Sequence, residues 1–99
     1  MSLVELRQLR DRVGELSAVL KGREVELGEL QKSLSVAIDS RNEQVAVQAV
    51  TQTRDRMESI KKTISDVDEA GKKAVSIADT AAGLATGLLK LVEFVRPLL

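Results

Sequence analysis

Ninety-nine residues is one domain's worth of chain, and with 43% apolar side chains, one proline and Phe94 as its single aromatic it has the composition of long helices, excluding the aromatic-rich runs of a sheet protein. Fifteen Lys+Arg balance 15 Asp+Glu, and both halves of the chain are close to neutral, so neither forms a strong field; that weighs against nucleic-acid binding, which needs a basic stripe to neutralise phosphates, and no nucleic-acid partner is expected. Cysteine and histidine are absent, so there is no disulfide framework, no thiolate or imidazole nucleophile and no soft metal site.

Glu5, Arg7, Arg10, Asp11 and Arg12 interrupt the first dozen residues, unlike the unbroken apolar core of a signal peptide, and a cytoplasmic location is expected. From Leu6 the apolar residues step by three and four: Leu6, Leu9, Val13, Leu16, Leu20, then Leu27, Leu30, Leu34 and Ala37. All fall on positions a and d of one heptad register that only Arg23 interrupts, and a strict seven-residue repeat predicts a left-handed coiled coil. The register predicts one helix over 3–38. Gly22 offers a competing reading, a turn at Lys21-Gly22-Arg23 with Glu24 and Glu26 opening a new helix. The unbroken phase favours continuity.

Asp39-Ser40-Arg41-Asn42-Glu43 holds the expected turn, over 39–42, with Ser40 and Glu43 spaced as a capping box. A second heptad register then runs over 43–95, from Ala46 and Val50 through Ile64, Val67 and Gly71 to Ala78, Ala85, Leu88 and Val95. The register predicts one long helix over 43–95, or two helices in nearly one phase: Lys61 and Lys62 followed by Ser65, Asp66, Asp68 and Glu69 suit a break near 63–71, while the continuous register and the absence of glycine or proline before Gly71 oppose it. Pro97 ends the helix.

A hairpin pivoting near Ser40 sets Leu34 against Ala46, Leu30 against Val50, Leu20 against Ile60, Leu16 against Ile64 and Val13 against Val67. It also brings Arg23 near Met57, with Asp55 or Glu58 to receive the guanidinium. Past Ala78 the first helix runs out, and the residues from there to the C-terminus have no partner inside the hairpin. The expected fold is therefore all-α: one helical domain over 1–99, as a long antiparallel helical hairpin (coiled coil) or a three-helix bundle, assembling into oligomers.

Gly83-Leu84-Ala85-Thr86-Gly87 has the G-x-x-x-G spacing that lets helix backbones approach closely. Asp66-Val67-Asp68-Glu69-Ala70-Gly71 opens like a calcium loop but fails at the fifth position, Ala70, and at the twelfth, Ile77, where a bidentate Glu is needed. Lys61-Lys62 and Lys72-Lys73 are separated by acidic residues and have no aromatic partner for bases. The uncharged stretch 80–89 is far shorter than the ~18 residues of a membrane span. The mixed charges of Lys90, Glu93 and Arg96 suit a protein partner better than lipid.

In size and helix-turn-helix plan the chain resembles the small secreted WXG-type hairpins. It has no tryptophan, however, and its turn from Ser40 to Glu43 lacks their motif, so no family is assigned. The candidate partner-binding residues are Ala78, Ala81, Ala85, Leu88, Leu91, Val92, Phe94 and Val95; no catalytic residue, cofactor or metal ligand is expected. The expected function is a non-catalytic coiled-coil oligomerisation or scaffolding module that presents its C-terminal apolar helix to a helical protein partner or to another copy. Behind it stand a membrane-docking, pore-forming or death-effector-type helical domain, and a helical adaptor or chaperone for a secreted partner.

Overall fold

Four helices form where the apolar spacing is helical and stop where the backbone must reverse: α1 (Leu3–Val19), α2 (Glu24–Ser40), α3 (Glu43–Lys61) and α4 (Glu69–Val95). The computed structural model describes residues 3–95, with side chains described as far as Val92. Each helix packs on the next and α1 closes the ring on α4, so that α1 lies diagonal to α3 and α2 diagonal to α4. The cross-section of 23 × 19 Å in a body 47 Å long is two helices by two. Neighbours run antiparallel: Gly14 faces Gln31 across α1 and α2, Glu26 pairs with Arg56 across α2 and α3, and Lys61 pairs with Asp79 across α3 and α4. Along α1 and α4, Val19 shares a groove with Lys73 and Ile77, and Gln8 shares one with Leu84.

The single helix expected over 3–38 is two helices. Gly22 turns the chain with φ +89°, a left-handed backbone that glycine adopts without steric penalty. Its N–H donates to the Glu24 carboxylate at 3.0 Å, and the Arg23 carbonyl accepts from Leu27 N–H at 3.0 Å to open α2. The heptad phase survives the reversal because both helices turn the same positions inward: Leu6, Leu9, Val13 and Leu16 are buried, and so are Leu27, Leu30, Leu34 and Ala37. Arg23 does not reach Asp55 or Glu58. Its guanidinium donates to Glu26 at 3.2 Å and to the Thr63 hydroxyl at 3.1 Å. The facing of Val13 and Val67 also fails, since Val67 is 85% exposed in the connection between α3 and α4.

At the second reversal the cap is Asn42, not Ser40. The Asn42 side-chain oxygen accepts from Gln44 N–H at 2.9 Å and Val45 N–H at 3.3 Å, satisfying donors that a helix start leaves open. Ser40 instead donates its hydroxyl to the Ala37 carbonyl at 3.2 Å. Arg41 closes α2 in the left-handed region, φ 52°, with its N–H on the same carbonyl. The third break covers 62–68, and Asp68 caps α4 by accepting from Gly71 N–H at 2.7 Å. A Cβ on Gly71 would run into the Ser65 carbonyl oxygen.

The core divides unequally. Its inner line on α4 is Ala74, Ala78, Ala81, Ala82 and Ala85, followed by Leu88 and Leu89, while α1 and α2 supply leucines and α3 supplies Val50, Met57 and Ile60. Thr53 is the one buried polar residue among those described, and its hydroxyl donates to the Ala49 carbonyl at 2.8 Å.

Two substitutions at the reversals should move stability in opposite directions in urea unfolding followed by circular dichroism. Gly71→Ala should cost about 2 kcal/mol, because backbone is displaced at the start of α4. Arg41→Gly should add about 0.5 kcal/mol by relieving a left-handed non-glycine residue.

Candidate functional site

Every candidate partner-binding residue lies on α4, and the bundle divides them. Ala78, Ala81, Ala85, Leu88 and Val92 are buried, each at 5% exposure or less, whereas Leu91 is 46% exposed. The side chains of Phe94 and Val95 lie outside those described. Helices α1 and α3 of the same chain pack against α4, so the alanine seam expected to meet another molecule is covered from within. That cover exists because the reversal at Gly22 adds a second helical hairpin to the first.

The opposite face of α4 is open. Ser76, Thr80, Gly83, Gly87 and Lys90 are exposed, and a Cβ built on Gly83 or Gly87 would meet nothing within 4 Å. The hydroxyls nearby turn back onto their own helix, Thr80 donating to the Ser76 carbonyl at 3.0 Å and Thr86 to the Ala82 carbonyl at 2.9 Å. A low, smooth strip results. The G-x-x-x-G spacing is therefore split from the alanine seam it overlaps in sequence: alanines point to the core and glycines to solvent.

A groove between α3 and α4 borders this strip, with Lys61 and Asp79 at one end and Gly83, Gly87 and Lys90 along its length. Lys61 meets Asp79 at 2.5 Å and Glu58 at 3.9 Å. The hydrogen bond to Asp79 raises the Lys61 pKa above the ordinary lysine value, with partial desolvation opposing and the charges of Asp79 and Glu58 assisting. Sequence reading missed this pair because it joins helices whose offset is set by the 62–68 connection.

Acid–base chemistry calls for a titratable group held in a low-dielectric cleft, and no charged side chain is buried among the described residues. Nor do they include a group of three or more acidic, His or Cys residues placed to hold a metal; Asp68 is occupied as a helix cap. The stretch Glu69–Val92 is long and apolar enough to cross a membrane by length and composition, with mean hydropathy 1.4, and 44% of its most apolar window is buried in the bundle. Core helices of soluble bundles share that profile. No protein-family model, no curated protein and no solved structure matches this chain.

The division of α4 into covered and open positions is testable by paired substitutions. Leu88→Asp should unfold the bundle, at a cost above about 3 kcal/mol for an unpaired buried carboxylate, while Leu91→Asp should stay within about 0.5 kcal/mol of the parent in thermal melts. The Lys61–Asp79 pair carries a sign. A raised folded-state pKa contributes stability that is complete below the unfolded lysine value and is lost as pH rises through the folded one. The midpoint difference between the parent chain and Asp79→Asn should therefore hold steady near neutral pH and shrink in strongly alkaline buffer.

Proposed function

We propose that this chain is a non-catalytic scaffolding module that presents the outer face of α4 to a helical protein partner. The observation that carries the reading is the pair Gly83 and Gly87, exposed in mid-helix with open space where a side chain would stand. Glycine in a helix interior costs about 1 kcal/mol against alanine, and nothing inside the bundle gains from its small size here. A helix laid along the strip gains directly, because missing side chains let backbones approach and add dispersion contacts. Leu91, exposed toward the end of α4, gives the strip an apolar terminus. The mechanism is burial of apolar area at about 25 cal/mol per Å², with the Lys61–Asp79 pair and Lys90 on the flank setting register more than affinity.

A second reading, docking of α4 on a lipid surface after release from the bundle, draws on the length and hydropathy of Glu69–Val92. Release would uncover the alanine seam, and flotation with anionic vesicles separates the two readings.

Gly83→Leu and Gly87→Leu test the leading proposal. Leucine is the better helix former by about 0.8 kcal/mol, so each variant should fold at least as stably as the parent. Each should also lose the proteins that the parent chain captures by affinity from its native lysate. Equal capture by parent and variants overturns the proposal.

A further inference from the structure

We propose that a second copy of this chain docks on the outer face of α2, antiparallel to the first and related to it by a two-fold axis passing between Leu30 and Gln31. The face lies opposite the buried line of Leu27, Leu30 and Leu34. At about 100° per residue, Val25, Glu29, Lys32 and Val36 form one stripe along its centre. Val25 is 78% exposed and Val36 53% exposed, two of the few large apolar side chains the bundle leaves in water.

Turned end for end about its midpoint, the stripe maps onto itself with the charges exchanged. Val25 then faces Val36 of the second copy, and Glu29 faces Lys32; the end carrying Asp39 meets the end carrying Lys21. An isologous contact requires such self-complementarity. A parallel arrangement in register would set Glu29 on Glu29 and Lys32 on Lys32.

The charges support the same occupant. Among the described residues, neither Lys21, Glu29, Lys32 nor Asp39 takes part in any ion pair of the chain, although Arg12–Glu15 and Arg23–Glu26 pair at the spacing that Glu29 and Lys32 share. Beside the axis, Gly28 has open space where a Cβ would stand, which allows the two α2 backbones to come close. Because α2 is diagonal to α4, a pair joined through α2 turns both α4 outer faces away from the joint. The scaffold becomes bivalent, a consequence that rests on the proposed function; the pairing itself does not.

One helix face about 25 Å long is a small interface, below about 1,200 Å², and implies a reversible, concentration-dependent dimer. Sedimentation equilibrium of the purified full chain, from about 5 to about 500 μM, should show monomer and dimer in exchange. Glu29→Lys alone and Lys32→Glu alone should each raise the dissociation constant about tenfold, since like charges then face across the axis. The double variant Glu29→Lys/Lys32→Glu restores opposite facing and should return to within about threefold of the parent. Far-ultraviolet circular dichroism checks that all variants keep the parent's helicity, and Gly83→Leu should leave the dimer unchanged. A monomer across the whole range, or a double variant no better than the singles, overturns the proposal. Loss of self-association on Gly83→Leu with the charge reversals silent also overturns it, by placing the contact on α4.

Discussion

The inner stripe of α4, where Ala74, Ala78, Ala81, Ala82 and Ala85 are all buried at 4% exposure or less, sets the spacing of the whole bundle. A helix that turns methyl groups inward lets α1 and α3 settle against it closely and leaves the central volume to larger side chains from elsewhere. Leu6, Leu9 and Leu16 of α1, Leu27 and Leu34 of α2, and Met57 and Ile60 of α3 fill that volume with almost no exposure. Large opposite small across one core produces dense contact without aromatic residues.

That arrangement depends in turn on three reversals, each built differently. Gly22 uses its freedom at positive φ, Arg41 accepts a left-handed backbone in a non-glycine residue, and the 62–68 connection crosses over Gly71 so closely that a methyl group there meets the Ser65 carbonyl. The reversal at Gly22 has the largest consequence for function. It places α1 beside α4 rather than on a distant continuation of α2, and so converts an apolar helix that would need an external partner into one covered along its inner side.

What α4 and α2 leave outside therefore differs in kind from what they bury. The open side of α4 is a strip of glycine and hydroxyl residues ending at Lys90, in which Thr80 turns its hydroxyl back onto its own helix. The open side of α2 sets two charged residues, Glu29 and Lys32, unpaired among the described residues, between the exposed Val25 and Val36. Lying on opposite corners of the ring, the two surfaces can be occupied together without competing for space.

Composition and heptad spacing sufficed to determine that the chain is all-helical and which positions repeat on one apolar line within each helix, but not where that line leaves the helices, at Leu20, Ile64 and Val67, none of them fully buried. Leu6 to Leu16, Leu27 to Ala37, Ala46 to Ile60 and Ala74 to Val92 contain the buried a and d positions, because burial follows the 3.6-residue period wherever a helix exists. The same spacing could not determine the number of helices. Phase counts residues and carries no direction, so a chain that doubles back through Gly22 keeps its register as well as one that runs straight. Lys21-Gly22-Arg23 before Glu24 and Glu26 is the one local sign of that reversal in the sequence, and the unbroken phase on either side masks it. Which apolar face of α4 finds cover, that its glycines look outward while its alanines look inward, and that Lys61 meets Asp79 were decided only in the tertiary structure, since each depends on the offset between helices that are distant in sequence.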